Sequence, residues 1–254
     1  MGRVLITGSA DGLGLMAGQL LAEQGHEVVL HARSQHRADD ARAALPEAEA
    51  VVVGDLSEIA AMRDVAGQAN AHGPYDAVIH NVGIGYQQPR RAETADGLSQ
   101  LWAVNVLAPY VLTALVERPR RLVYLSSGMA HGGSADLSDV QWSERRWNGS
   151  RAYSESKLHD LLLTFGLARR WPGTAVNAVS PGWVATRMGG PGAPDDLDLA
   201  HRTQVWLAVG KDEPGTGGYF YHQRPADTPA AARSESLQDA LLTYCEKVSG
   251  VSLP

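Results

Sequence analysis

A short apolar run and a glycine-rich turn decide the fold: Val4-Leu5-Ile6 is followed directly by Thr7-Gly8-Ser9-Ala10-Asp11-Gly12-Leu13-Gly14. The run predicts a buried strand, and the residues after the last glycine have the periodicity of a helix. Glycines at such a junction permit a tight turn and a close backbone approach, while the helix start offers free N–H groups to phosphate. Although glycine-rich turns also occur without a ligand, the placement between strand and helix indicates a dinucleotide site.

Similar apolar runs recur along the chain, with helical periodicity between them. The further predicted strands are Val28–Leu30, Val51–Val53, Ala77–Ile79, Leu122–Leu125, Ala175–Val179 and a short last one at Gly217–Phe220. The predicted helices cover about 12–23, 57–71, 95–117, 152–170, 197–209 and 234–247. This alternation predicts an α/β fold with a single-domain, doubly wound Rossmann architecture. We expect a parallel sheet of about seven strands in the order 3-2-1-4-5-6-7, with helices on both faces.

One domain is expected to span residues 1–254, since no linker or repeat divides the chain. Two segments that are rich in polar, glycine or proline residues are predicted to be substrate-side insertions. They are the loop at 131–151 and the loop and helix at 188–213.

Composition excludes several classes of protein. The chain has 254 residues, of which 44% are hydrophobic and 20% charged, and its net charge of −6 leaves no basic footprint for nucleic acid. The single cysteine, Cys245, excludes an internal disulfide. The longest apolar stretch, Leu101–Val116, is interrupted by Asn105 and Pro109 and is shorter than the ~20 residues of a membrane span. Because the first apolar strand begins almost at residue 1, no signal peptide is predicted, and we expect a cytoplasmic protein without a membrane partner.

The end of the second predicted strand bears on the choice of dinucleotide. It reads Leu30-His31-Ala32-Arg33-Ser34, without the acid that would accept hydrogen bonds from the ribose hydroxyls and repel a 2′-phosphate. Arg33 could pair with that phosphate, although it could also be a solvent-facing arginine. NADP(H) is therefore favoured over NAD(H).

A tyrosine and a lysine four positions apart are the candidate acid–base pair. In Tyr153-Ser154-Glu155-Ser156-Lys157 both side chains fall on one face of a helix. A phenol has a pKa of about 10, and a neighbouring ammonium lowers it towards the range of general acid–base work. A surface pair is the alternative, but strand Leu122–Leu125 runs into Ser126-Ser127 and a buried helix carries Asn105, so further polar groups approach the same site.

These motifs, in this order and over nearly the whole chain, resemble the short-chain dehydrogenase/reductase family. The resemblance implies that Ser127 orients a carbonyl or alcohol and that Tyr153 transfers the proton. It also implies that Lys157 holds the nicotinamide ribose and eases ionisation of the phenol, and that Asn105 supports a water relay. By motif position Ser126 is the less favoured serine. Ser138 or Ser143 could be proposed instead, but only Ser127 closes a strand.

The resemblance extends to the cofactor contacts. Asp55-Leu56 matches an adenine contact in which the leucine side chain packs on the ring, although a helix N-cap is an alternative for the aspartate. Asn81-Val82-Gly83 differs by one residue from the usual Asn-Ala-Gly. Pro181-Gly182-Trp183-Val184-Ala185-Thr186 matches a segment that binds the nicotinamide carboxamide. Asp11 departs from the family pattern, because many NADP-using members carry a basic residue in the glycine turn.

The predicted cofactor-binding residues are Gly8, Ser9, Asp11, Gly12, Leu13, Gly14, Arg33, Asp55, Leu56, Asn81, Gly83, Tyr153, Lys157, Pro181, Gly182, Val184 and Thr186.

Spacing within the motif points to one branch of the family. Ser127 lies 26 positions before Tyr153, because residues 131–151 intervene. This longer gap is similar to that of the retinol dehydrogenase and WW-domain oxidoreductase branch.

The expected function is the interconversion of a carbonyl and an alcohol by hydride transfer, with Tyr153 as general acid/base. Trp142, Trp147, Trp183 and Met188 suggest an apolar pocket and so a partly apolar small-molecule substrate, although core or surface packing explains any one of them equally well. The resemblance implies a homodimer or homotetramer, and no metal site is predicted. Two alternatives stay open: a non-catalytic NADP(H)-sensing protein of the same fold, and an epimerase or dehydratase of the same family.

Overall fold

A computed structural model describes residues 1–212 and 214–254. Its single sheet has the strand order β3-β2-β1-β4-β5-β6-β7-β8, which confirms the predicted order of the first seven. The strands are β1 Arg3–Ile6, β2 Glu27–Ala32, β3 Ala50–Val53, β4 Ala77–His80, β5 Arg121–Leu125, β6 Ala175–Ser180, β7 Tyr219–Tyr221 and β8 Arg224–Pro225. All neighbours pair in parallel except β7 and β8. The eighth strand was not predicted, because two residues ending in proline carry no strand periodicity.

Helices cover both faces of the sheet, as expected. They are α1 Gly12–Glu23, α2 Gln35–Ala44, α3 Ile59–Asn70, α4 Gln100–Trp102, α5 Ala108–Leu115, α6 Gly149–Arg170, α7 Leu197–Val209 and α8 Glu235–Ser249. Helix α2 was missed in the sequence, because its only apolar residues are alanines and no large side chains mark its buried face. Ser34 caps it by accepting a hydrogen bond from the backbone N–H of Arg37.

The helix predicted at 95–117 begins at residue 100 and is not uniform. Between α4 and α5 it widens into a π turn over residues 103–107, with Asn105 at the centre. Pro109 has no N–H to donate to the carbonyl of Asn105, four positions earlier, so a regular α-helix would lose a hydrogen bond at this point. Such π turns are often found at functional sites.

Helix α6 has the longest run of buried residues among the described helices, and it carries Tyr153 and Lys157. Every residue from 152 to 167 is buried. The C-terminal helix α8 covers part of it, since a Cβ at Gly166 would lie 3.1 Å from a methyl group of Leu242. The chain end covers α5 as well, because the hydroxyl of Tyr110 donates to the carbonyl of Val251. The candidate acid–base pair is thus fixed by rigid packing.

The two predicted insertions lie at the edge of the sheet where the parallel strands end. The first, 131–151, begins at the end of a short 3-10 helix, Gly128–Gly132, continues through turns and runs into the start of α6. The second follows β6, and its helical part is α7; its last predicted residue, Glu213, lies outside the described residues. Among the described residues, no helix has both the length and the apolar character that a membrane span requires.

Candidate active site

The glycine turn after β1 is tightly packed against the end of β4. Gly8 has a φ of +62°, and a Cβ there would lie 2.7 Å from the Cα of Val82. A Cβ at Gly14 would lie 2.5 Å from Nδ2 of Asn81 and 2.6 Å from the carbonyl oxygen of Gly8. That amide of Asn81 donates to the carbonyls of Thr7 and Gly8, at 3.1 and 2.8 Å. The turn therefore excludes side chains at Gly8 and Gly14 and has a fixed shape.

The N-terminus of α1 is open towards this turn. Asp11 occupies the N-cap position but makes no side-chain cap hydrogen bond. Its carboxylate is instead paired with Arg37 at the start of α2, with 2.6 Å between Oδ2 and Nη2. The first-turn amides of α1 are thus not covered by the capping side chain, and the glycines leave the backbone accessible. These features fit the pyrophosphate of a dinucleotide.

His31, at the end of β2, holds the glycine turn in place, and its role was not predicted. Its Nδ1 accepts from the backbone N–H of Gly8 at 2.9 Å. Its Nε2 lies 3.0 Å from the carbonyl of Gly54, which can only accept, so the proton is assigned to Nε2. Burial lowers the pKa of His31 to about 4, so the ring is neutral near pH 7 and keeps its acceptor. No short motif marks this role, because the partners come from two other strand ends.

Three arginines lie around the end of β2 and the glycine turn. Arg33 is exposed at the position expected from the sequence. Arg37 pairs with Asp11, and Nη1 of Arg187 lies 4.0 Å from the same carboxylate. The negative charge of Asp11 in the glycine turn is therefore compensated by neighbouring guanidinium groups.

The pair Asp55-Leu56 follows β3, as predicted, but the two side chains differ in exposure. Asp55 is exposed, and its Oδ1 accepts from the N–H of Ser57 at 3.0 Å. Leu56 is only 3% exposed and packs in the main core. The predicted packing of this leucine side chain on adenine is therefore wrong for this structure, because the side chain is already used by the core.

Asn105 ties the loop after β4 to helix α6. Its Oδ1 accepts from the N–H of Ile84 at 2.8 Å, and its Nδ2 donates to the carbonyl of Ile84 and to Oγ of Ser156, at 3.1 and 3.0 Å. Gly83 lies beside it, where an added Cβ would come 3.6 Å from Oδ1 of Asn105 and 3.8 Å from Nζ of Lys157. The structure thus brings Gly83, Asn105 and Lys157 together.

Tyr153 and Lys157 lie on the same face of α6, as predicted, and both are buried. The ammonium of Lys157 is 5.7 Å from the centre of the Tyr153 ring. It donates to the carbonyl of Leu125 and to Oδ2 of Asp160, each at 2.8 Å. The hydroxyl of Tyr153 lies 3.9 Å from the sulfur of Met188. The phenol therefore points at the loop after β6 and the lysine at the end of β5.

The two serines at the end of β5 have different surroundings. Ser126 is buried, and its hydroxyl donates to the carbonyl of Lys157 at 2.8 Å. Ser127 is half-buried, and its oxygen accepts from the N–H of Met129 at 3.2 Å, so its own hydrogen is still available. The geometry favours Ser127 as the hydroxyl that could bind a substrate.

The Pro181–Thr186 segment forms a stiff turn after β6. Gly182 has a φ of +87°, and a Cβ there would lie 2.6 Å from Oδ2 of Asp195. That carboxylate accepts from the N–H of Trp183 at 2.6 Å. Val184 is buried and forms a bridge with Asp195, and Thr186 accepts from the N–H of Gly189 at 3.2 Å. Asp195 was not predicted as the anchor of this turn, because it lies in a separate part of the loop.

The insertion between Ser127 and Tyr153 is anchored on Glu155, which lies between Tyr153 and Lys157. The carboxylate accepts two hydrogen bonds from the guanidinium of Arg145, at 3.0 and 2.9 Å, and one from Nε1 of Trp142 at 2.9 Å. The Arg145 guanidinium also lies 3.9 Å from the centre of the Trp142 ring. One side chain of α6 therefore fixes the loop that forms a wall beside Tyr153.

An apolar cluster surrounds the phenol. It contains three of the predicted pocket residues, and Trp183 instead is 54% exposed at the surface. The members around Tyr153 are Leu101, Trp142, Ala152, Ile84, Tyr86, Met129, Trp147 and Met188. A polar reaction centre in such surroundings is shielded from water, which strengthens its electrostatic interactions.

Comparisons with known proteins agree with the fold and the motifs. The family profile described as short chain dehydrogenase matches residues 3–196. An uncharacterized oxidoreductase of Emericella nidulans is 45% identical over 261 residues, covering 100% of this chain and 99% of that protein. Retinol dehydrogenase 14 of Homo sapiens is 33% identical over 213 residues, covering 73% of this chain and 62% of that protein. The predicted likeness to the retinol dehydrogenase branch is confirmed.

A solved structure supports the same assignment. The crystal structure of an uncharacterized protein from Mycobacterium paratuberculosis matches with a TM-score of 0.86 at 28% identity, covering 100% of this chain and 95% of that chain.

Replacing His31 with Phe is expected to weaken NAD(P)H binding by about tenfold or more, because the N–H of Gly8 and the carbonyl of Gly54 lose their partner and the glycine turn loosens. Titration of NADPH fluorescence measures the dissociation constant. His159→Phe is the matched control, since His159 is equally buried but lies on α6. Equal dissociation constants for His31→Phe and the unchanged protein would show that His31 does not shape the site.

Proposed function

The chain belongs to the short-chain dehydrogenase family, and on that premise we propose that it is an NADP(H)-dependent oxidoreductase that interconverts a carbonyl and an alcohol. The observation that carries the proposal is the arrangement around Tyr153. A buried phenol has a lysine ammonium 5.7 Å from its ring and lies in an apolar cluster, and a serine with an available hydroxyl hydrogen follows β5, the strand before this helix. Family membership supports a dehydrogenase or reductase, and these residues support the finer assignment.

The residues that would hold the cofactor follow the strand ends. The backbone of the turn from Gly8 to Gly14 would bind the pyrophosphate, and Asp55 and the backbone of Leu56 would contact the adenine. Asn81 and Gly83 would form the floor of the cofactor site, while the turn from Pro181 to Thr186 would hold the nicotinamide end of the dinucleotide. When bound, the nicotinamide supplies the hydride for reduction of a carbonyl or accepts it from an alcohol.

Tyr153 handles the proton in either direction. In reduction its hydroxyl gives a proton to the carbonyl oxygen, and in oxidation its oxygen takes the proton of the alcohol. Ser127 donates a hydrogen bond to the same substrate oxygen and so orients it. Lys157 places a positive charge beside the phenol and favours its ionised form. Asn105 holds the loop after β4 against α6, which keeps Gly83 next to Lys157.

Charge at the end of β2 supports NADP(H) over NAD(H). The strand lacks the terminal acid, Arg33 is exposed there, and Arg37 neutralises Asp11. A 2′-phosphate at this corner would therefore meet the exposed guanidinium of Arg33, with the guanidinium of Arg37 nearby and shared between Asp11 and Asp40.

The apolar cluster around Tyr153 supports a small, partly apolar substrate. It includes tryptophans of the insertion and Met188 of the loop after β6. The relative from Homo sapiens is named for the oxidation of retinol, which is an apolar alcohol, and this name agrees with the chemistry proposed. A cytoplasmic location and a homo-oligomeric state stay predictions.

Tyr153→Phe is expected to reduce kcat by about 100-fold to 10,000-fold, because the ring remains but no group can transfer the proton. NADPH binding should stay within about threefold of the unchanged protein, because the substitution removes only one hydroxyl. Absorbance of NADPH is followed with a panel of ketones and aldehydes. Tyr75→Phe removes a buried hydroxyl that bonds to the carbonyl of Ala69 and serves as the control with retained activity. Turnover by Tyr153→Phe at the rate of this control would refute the role of Tyr153.

Arg33→Ala is expected to weaken NADPH binding by about 10-fold to 100-fold and NADH binding by less than about threefold, because only NADPH carries the 2′-phosphate. Dissociation constants for both nucleotides are measured by fluorescence. Arg42→Ala, at an exposed position in the last turn of α2, is the control. An equal loss for both nucleotides would contradict the assignment of Arg33 to the phosphate.

A further inference from the structure

A buried carboxylate lies one helical turn after Lys157. Oδ2 of Asp160 is 2.8 Å from Nζ of Lys157, and the two side chains are 2% and 5% exposed. In the described part of the chain, Oδ1 of Asp160 has no hydrogen-bond partner. Removing two charges from water costs several kcal/mol for each ion unless geometry and further hydrogen bonds compensate. A buried carboxylate with only one bonded oxygen therefore contributes little to stability. Its position beside the acid–base pair suggests a second role.

Asp160 is the charged side chain that the ammonium contacts. The other buried titratable groups of α6 and the surrounding elements stay neutral near pH 7, because burial shifts the pKa of each one away from its charged form. Those with raised pKa values are Tyr124 of β5, Tyr219 of β7 at about 12, and Cys245 of α8, and the one with a lowered pKa, about 4, is His159 of α6. Tyr153, on the same helix face, completes the surroundings of Lys157.

The pair also fixes the direction of the ammonium. An ammonium has three N–H donors, and here one points at Asp160 and another at the carbonyl of Leu125. The third is left for the side of the site where Gly83 and Tyr153 lie. With two donors held, the lysine has little freedom to swing out of the site.

We propose that Asp160 is a positioning residue for the proton transfer, which keeps Lys157 charged and holds its ammonium beside Tyr153. The proposal rests on the proposed function for the part that concerns the reaction. The coupling between the two side chains is measurable without turnover.

The direction of the effect follows from burial and charge. Burial by itself lowers the pKa of Lys157, but the charges of Asp160 and Tyr153 and the hydrogen bond that Lys157 donates to Asp160 outweigh burial, so that the pKa is raised above its usual value. Burial raises the pKa of Asp160 in spite of the ammonium, so the carboxylate becomes charged as the pH rises through that raised value. Without the carboxylate, burial is opposed by Tyr153 alone, and the pKa of Lys157 is expected to fall.

NMR of lysine labelled with carbon-13 at Cε tests the coupling directly. The chain has three lysines, Lys157, Lys211 and Lys247, so the spectrum is simple, and Lys157→Met assigns the signal of interest. In the unchanged protein the Lys157 signal is expected to titrate above 10.5. In Asp160→Asn, which keeps the shape but not the charge, the midpoint should fall by more than about one pH unit.

The kinetic counterpart is the pH profile of kcat/KM with NADPH and the most active carbonyl of a panel. In Asp160→Asn the Lys157 ammonium is expected to lose its proton at lower pH than in the unchanged protein. The ratio of kcat/KM between the unchanged protein and this variant should therefore grow by about tenfold or more between about pH 7 and about pH 10. If Asp160 had only a structural role, the ratio of the two kcat/KM values would not change with pH.

Glu155→Gln is the matched control. Glu155 is a buried carboxylate on the same helix, but its ion-pair partner is Arg145. This variant should leave the Lys157 titration unchanged even where it lowers thermal stability.

Each outcome decides the proposal. A lower Lys157 midpoint in Asp160→Asn together with a lowered alkaline limb supports it. An unchanged midpoint overturns it, and so does a lowered midpoint with a parallel pH profile, which would make the pair purely structural. If Asp160→Asn does not fold, the Lys157 titration in the unchanged protein still tests the proposal. A midpoint well below 10.5 would overturn the coupling. If no carbonyl is reduced, the proposed function fails, while the NMR titration still tests the ion pair.

Discussion

Parallel strands leave their carboxyl ends on one edge of the sheet, and this constraint brings distant parts of the chain together. The glycine turn follows β1, His31 ends β2, Ser127 follows β5 and Pro181 follows β6. Ligands of open α/β sheets bind at this edge for the same reason. The site therefore requires the whole sheet in the correct order, and no single motif could form it alone.

Buried polar side chains then fix the loops that leave this edge. His31 holds the glycine turn to the loop after β3, Asn105 holds the loop after β4 to α6, and Glu155 holds the insertion. Each replaces backbone pairing that an irregular loop cannot make. The result is a rigid shell around Tyr153, which is the condition for precise placement of a phenol, an ammonium and a serine hydroxyl.

The sequence was informative where the signal is local. Apolar runs gave the strand positions, and the spacing of Tyr153 and Lys157 placed both on one face of α6, as the structure has them. Helix α2 escaped notice because its buried residues are alanines, and Leu56 was assigned to adenine although its side chain belongs to the core. The roles of His31 and Asp195 depend on contacts between segments, which leave no periodic pattern. Asp160 is local to the motif, but its importance depends on burial, which became visible only in the folded chain.

The central claim is that this site moves a hydride between a nicotinamide and a carbon that bears oxygen. The most direct measurement uses NADPH deuterated at C4, mixed with the protein and a panel of ketones and aldehydes with apolar substituents. Mass spectrometry and NMR of the products locate the label. The account predicts deuterium on the carbinol carbon of at least one product, with a single configuration at that carbon. Tight binding of NADPH without transfer of deuterium to any member of the panel would contradict it.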